Sequence, residues 1–310
     1  MPVTPDRNYN LASGIIISSI VAVLLVGSTK AAGTYFNIGD SSLFVFSTFI
    51  IVPFLMGLIS SYCWRSLEMK VSKYIGWSIV NTLLACLLSA VFLHEGVICL
   101  LIISPLILIF VVAGALIGRI IYRKKNNTLN ISLLGILMVV YIADVTSEHK
   151  NTTLISDTLI IDAPINKVWP YVVAYEPITQ KETYWLFKIG MPSPVQSTVD
   201  GYAEGAGRKC IFSNGYVFDE KMIDYKPNQE LTFDIIQQPR DPEIMGHIDI
   251  VRGQFILKDN GNGTTTLVGN SWYKLYVFPT WYFNIWSSSI TRAVHFRVME
   301  HIKILSEQDV

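Results

Sequence analysis

Five long apolar stretches fill the first 145 residues, at about Leu11–Thr29, Leu43–Tyr62, Tyr74–Leu93, Val97–Tyr122 and Leu129–Val145. Roughly 20 apolar residues in a helix cross a bilayer core, so the first three match it as membrane spans. The fourth is longer and contains Pro105, which predicts a tilt or kink, and the fifth is short for a span. After Val145 the pattern changes. Thr152–Ile161 is rich in Thr and Ile and reads as a strand. Pro164 then suits the first turn of a helix, with Asp162 or Ala163 at its cap. Ile165, Val168, Trp169 and Val172 give that helix an apolar face, and Pro170 predicts a break, so that two short helices precede Phe187.

Alternating runs follow, punctuated by turn residues. Arg208–Phe212 and Tyr216–Tyr225 flank Ser213-Asn-Gly215, and Glu230–Gln237 comes next. Ile248–Lys258 and Thr264–Val277 flank Asp259-Asn-Gly-Asn-Gly263. These predict a meander of antiparallel strands. The chain closes on a helical stretch at about Trp281–Glu307. At 100° per residue, Phe283, Ser287, Ile290, Thr291, Val294, Val298, His301 and Leu305 share one side, with Arg292, Phe296, Met299 and Lys303 opposite. The expected architecture is an all-α membrane bundle of about five helices over residues 1–145, then an α+β domain over 146–310 whose curved sheet grips its last helix.

Composition agrees with this division. The chain is 51% hydrophobic and only 15% charged. Residues 1–145 carry 9 Lys/Arg and 5 Asp/Glu, and residues 146–310 carry 15 and 19, so the halves net +4 and −4. Neither half has a basic patch with interleaved aromatics, which argues against nucleic acid as a partner. Arg65, Lys70 and Lys73 follow the second stretch, and Arg119, Arg123, Lys124 and Lys125 follow the fourth. By the positive-inside rule these connections face the cytoplasm, which places the N-terminus inside and the second half in a periplasm or outside the cell. The first stretch also has the outline of a signal peptide. Lys30, however, stands where a small-residue cleavage site belongs, so an uncleaved span is the better reading. No Asp, Glu, Lys or Arg falls mid-span, which favours an anchor over a transport path. The spacing Gly114-x-x-x-Gly118 allows a close helix contact.

Candidate chemistry is sparse. Cys63, Cys86 and Cys99 sit in apolar runs and Cys210 is alone in the second half, so no disulfide framework or CxxC motif exists. His295, Glu300 and His301 follow no metalloprotease spacing, and the two histidines point about 120° apart on a helix, so neither metal nor cofactor is expected. No GxSxG occurs, and Cys210 has no visible partner. Arg208, Asp219, Glu220 and His247 read as solvated strand residues, although strand twist would have to bring them inward to form an acid–base pair. Aromatic residues crowd one place: Trp272, Tyr273, Tyr276, Phe278, Trp281, Tyr282, Phe283 and Trp286. Trp281, Tyr282 and Trp286 suit a membrane-interface belt as well as a core.

The segments Ile161-DAPINKV-Trp169, Gly205-AGRKCIFSN-Gly215 and Gly253–Pro279, running into the helix that ends at Gln308, resemble the START-like or SRPBCC superfamily, which includes polyketide cyclases. The resemblance covers about residues 150–308. It implies a helix-grip fold with a cavity between sheet and last helix, but no catalytic residue, because the superfamily shares no such signature. Strand alternation places Leu267, Ser271, Tyr273 and Leu275 toward that cavity, opposite Phe283, Ser287, Ile290, Thr291, Val294, Val298 and His301. These are the candidate ligand-binding residues, and His301 is also read as a satisfied structural histidine. The expected function is a membrane-anchored protein that binds a lipid or other hydrophobic small molecule, rather than an enzyme. The alternatives are a cyclase, hydratase or hydrolase acting on a polyketide-like substrate, and a ligand sensor or assembly partner.

Overall fold

The computed structural model describes residues 7–35, 47–123, 151–239, 247–277 and 279–308. Two compact units divide the chain, one built mainly on its first 149 residues and the other mainly on those from Lys150 onward. The first is helical: α1 (Arg7–Tyr35), a π-helical turn (Ser47–Ile51) running into α2 (Val52–Trp64), α3 (Val71–Leu93) and α4 (Val97–Arg123). Three helices are long and apolar enough to cross a membrane, over Asn8–Ser28, Val71–Leu93 and Val97–Tyr122. Of the expected second span, the described residues form an apolar helix over Phe49–Trp64. Residues 43–46 and the whole fifth stretch, Leu129–Val145, lie outside the described residues. Pro105 is carried inside α4 without ending it.

Two features pack this unit. Gly57 of α2 lies against the α4 backbone, where a side chain would run into the Val111 carbonyl and the Ala115 amide. Gly114 faces the Phe54 carbonyl in return, and Gly118 faces Ser61. The Gly114–Gly118 spacing therefore seats α4 on α2, because only glycine lets the two backbones approach this closely. The second feature is polar. Asn81 of α3 donates through Nδ2 to Ser18 (3.0 Å) and Ser60 (2.9 Å), and its Oδ1 accepts from Ser19 (2.9 Å) and Ser18 (3.2 Å). All four residues are fully buried, and they tie α1, α2 and α3 through one neutral network.

In the second unit seven antiparallel strands form one sheet in the order β1-β7-β6-β5-β4-β3-β2. They are β1 (Asn151–Ile161), β2 (Pro194–Val199), β3 (Gly207–Phe212), β4 (Val217–Lys226), β5 (Glu230–Gln237), β6 (Ile248–Asp259) and β7 (Thr265–Leu275). Short helices α5 (Ile165–Val173) and α6 (Trp185–Lys188) follow β1, and the long α7 (Thr280–Gln308) closes the chain. The curled sheet with its long last helix is the α+β helix-grip arrangement that the hydrophobic pattern predicts. Turns at Gly215 (φ 85°), Gly261 (φ 74°) and Gly263 (φ 82°) use the left-handed backbone that glycine accepts without a steric penalty.

Three local expectations are corrected. Strand β2 is absent from the sequence reading because prolines at 192 and 194 interrupt its pattern, and it is an edge strand, where proline does no harm. Pro170 lies inside α5 instead of breaking it, since Val168, Trp169, Val172 and Val173 bury themselves in the core and hold the turn. Met299 is fully buried rather than opposite the inner stripe. A side chain on Gly269 of β7 would come within 2.9 Å of the Met299 Sδ, so this glycine lets α7 roll onto β7. Met299 thereby joins Met222, Leu231, Phe255, Leu257, Leu267, Val298 and Ile302 in the core.

Candidate active site

Asp157 of β1 pairs with Gly269 of β7, and Ser271 lies two residues further along β7 on the same inward face. With no side chain at 269, the imidazole of His295 from α7 settles between them. Its Nδ1 lies 2.8 Å from Asp157 Oδ2 and its Nε2 lies 2.7 Å from Ser271 Oγ. Arg292, one turn earlier on α7, is half exposed and donates to the other Asp157 oxygen. Asp157 and His295 are buried, whereas Ser271 is only half-buried.

Burial holds the His295 pKa below its ordinary value of 6.5, outweighing the nearby Asp157 carboxylate, which pulls it up. The ring is therefore neutral at neutral pH. The hydrogen-bond pattern assigns the proton to Nδ1, facing the carboxylate, and leaves the Nε2 lone pair to accept from Ser271. A serine hydroxyl, a neutral imidazole and a buried carboxylate in this order can remove a proton, with Asp157 orienting the ring and stabilising the imidazolium. Ser271 sits mid-strand and is paired with Ile155 on one side and Gly253 on the other. The strand thus offers its hydroxyl rather than its backbone amide. Two residues on, the buried Tyr273 donates from its hydroxyl to Asn284 Oδ1 at 2.6 Å.

A second polar group lies on β3 and β4. Arg208 and Glu220 form a buried ion pair, and Arg208 Nε donates to the Val173 carbonyl at 3.1 Å. The expectation that these are solvated strand residues is overturned, because the inward face of the curled sheet encloses them. Burial pushes the Glu220 carboxyl up against the pull of Arg208. It also pushes the Cys210 thiol up to about 12, which keeps that thiol protonated and unreactive beside the Tyr175 hydroxyl. Asp219, by contrast, faces the exposed Lys209, at 3.7 Å.

Of the expected ligand-binding residues, Leu267, Tyr273 and Leu275 of β7 are buried, as are Phe283, Thr291, Val298 and His301 of α7. Ser287, Ile290 and Val294 are half-buried. Leu267 and Val298 belong to the packed core. His301 is already engaged at both nitrogens, with Gln180 Oε1 at 3.1 Å and the Glu176 carbonyl at 3.0 Å, and burial lowers its pKa. With Arg297, which donates to the Pro194 carbonyl and pairs with Glu182, and Ser289, which meets the Tyr184 hydroxyl at 3.0 Å, it straps residues 176–184 onto α7. The sequence reading missed the association of Asp157 and His295 with Ser271. The available signal was a carboxylate at an inward position of an apolar strand, where an unpartnered charge is not tolerated.

No family model matches the chain, and no curated protein matches it. Solved structures do. Norcoclaurine synthase from Thalictrum flavum is 13% identical over 52% of this chain and 89% of its own, with a TM-score of 0.36. An aromatase/cyclase from Streptomyces sp. R1128 is 11% identical over 51% and 95%, with a TM-score of 0.36. A protein of Mesorhizobium loti is 18% identical over 51% and 98%, with a TM-score of 0.33. At these identities and scores the likeness concerns shape alone. The second unit is a curled seven-stranded antiparallel sheet with a long C-terminal helix. Two of these three similar structures are named for an activity, a synthase and an aromatase/cyclase. The expectation of a binding protein rather than an enzyme is corrected accordingly, and the case for chemistry in this chain rests on its own residues.

Proposed function

We propose that this chain is a membrane-anchored enzyme of the helix-grip type that performs acid–base chemistry on a small hydrophobic, polyketide-like carbonyl compound. The observation that carries this reading is the Ser271–His295–Asp157 hydrogen-bond chain, buried at one end and half-buried at the other. His295 acts as base through the Ser271 hydroxyl, Asp157 holds the tautomer, and Arg292 donates to the other Asp157 oxygen. Tyr273 donates to Asn284 Oδ1, and the Asn284 amide N–H groups are the proposed donors to an oxygen of the substrate. The apolar residues of β7 and α7, among them Leu275, Phe283, Ile290 and Val294, bind its hydrocarbon part by burial. The basic connections after the second and fourth apolar stretches support placing this domain outside the cytoplasm. A reporter fused after Val310 tests that placement, and reporter activity in the cytoplasm overturns it.

The chemistry is tested on the full chain in detergent with a panel of hydrophobic β-ketoacyl thioesters, aldehydes and esters, with products followed by mass spectrometry. Turnover is expected to fall about 10²–10⁴-fold in His295→Gln. Turnover that is unchanged in His295→Gln overturns the assignment. Absence of turnover across the panel, with no substrate-induced shift of the His295 imidazole resonances, overturns the reading as a whole.

A further inference from the structure

We propose that the helix-grip domain docks on a lipid bilayer surface through an aromatic lip formed by α6 and the first two turns of α7. Four large apolar side chains stand exposed there: Trp185 (45%), Ile189 (52%), Trp281 (65%) and Ile285 (61%). The two helices meet at this lip, since the rings of Trp185 and Trp286 lie 6.4 Å apart. Exposed tryptophans grouped with aliphatic side chains cost free energy in water and mark an interaction surface. Indole rings gain most where one edge is apolar and the other is wet, which is the headgroup level of a bilayer.

Charge and chain path select a bilayer as the occupant. No Asp or Glu occurs from Thr183 to Val199 or from Thr280 to Met299, so neither helix brings a carboxylate to the lip. The exposed Lys188 lies between Trp185 and Ile189, where its ammonium can reach lipid phosphate while its stem lies along the apolar surface. The sheet register supplies the second reason. Asn151, where the chain arrives from the helical half, pairs with Leu275, the last residue of β7 and only a few residues before α7 begins. The tether to the membrane-spanning helices and the aromatic lip are therefore at the same end of the sheet. Docking of this kind requires nothing from the acid–base chemistry.

The test uses the full chain reconstituted into phosphatidylcholine–phosphatidylglycerol vesicles, with an environment-sensitive fluorescent amino acid replacing Ile285, Ile189 or, as control, Ile160. Ile160 is exposed at the far end of the sheet, where its carbonyl accepts from Lys303, about 27 Å along α7 from Ile285. At 285 and 189 the emission is expected to shift to the blue and to lose about half its intensity or more when the lipids carry a headgroup-level nitroxide. At 160 neither change is expected. Equal quenching at 285 and 160 overturns the proposal. A blue shift at 285 without lipid quenching also overturns it, because the lip is then covered by protein, either a second copy or the helical half. Trp281→Ser, which removes an exposed side chain and leaves the core intact, should reduce the quenching at 189.

Discussion

Each half of this molecule buries a polar network, and the two differ in whether they close. In the helical half, Asn81 and three serines satisfy one another completely, carry no charge and link three helices. In the helix-grip half, Asp157, His295 and Ser271 form a chain with a charge at the buried end and a half-buried hydroxyl at the other. A closed neutral network has nothing left to offer a ligand and serves to fix helix packing. An open chain ending in a hydroxyl can pass a proton. Burial alone does not separate architecture from chemistry; the free end does.

The comparison breaks first at His295. His295→Gln should lower turnover about 10²–10⁴-fold, equivalent to roughly 3–5 kcal/mol of barrier, with a thermal midpoint close to that of the parent. A large fall in the midpoint would instead make this chain a structural network like that of Asn81. Next in size is the ion pair of β3 and β4. Arg208→Ala leaves Glu220 buried without a partner and should cost about 3–5 kcal/mol, whereas Arg208→Met combined with Glu220→Leu should recover most of the loss. Melting of the single and double variants in one detergent checks this.

Acid separates the two networks more finely. His295 and His301 have folded pKa values held below 6.5 by burial, so between the folded and unfolded values the unfolded chain binds more protons. Their contribution is complete above about pH 6.5 and declines as pH falls below it. Activity should rise through the same depressed His295 value, because the base must be neutral. The Asn81 network has no titrating member. Asn81→Ala should cost about 1–2 kcal/mol, and this smallest effect should be the same at pH 5 and pH 8. Hydrogen exchange measured separately over each half reads both effects.

Much of the fold was legible because it is written in short-range periodicity. The change from long apolar runs to period-two alternation predicted a helical half and a sheet, and the turns at Ser213-Asn-Gly215 and Asp259–Gly263 marked two hairpins. The last helix was expected within a residue of each observed end. Its roll was not legible. Helical spacing alone put Met299 outside, and the absence of a side chain at Gly269, on a strand some thirty residues earlier, brought it in. Cys210, Arg208 and Glu220 were read as solvent-facing or unpartnered because strand alternation does not say which face the sheet curls around.

The candidate site shows the same division. Ser271 was placed inward by alternation, and His295 was noticed only as one member of a metal spacing. Asp157 sits 138 positions from His295, and no local pattern joins them. The sequence by itself determined which residue types were available, which segments are helix or strand, and that a membrane-compatible half precedes a sheet that grips a helix. Tertiary structure alone decided that β1 lies beside β7, that Gly269 leaves a gap, and that an imidazole from α7 fills it. Periodicity acts over a few residues, whereas the register of two distant strands is fixed only when the whole sheet closes.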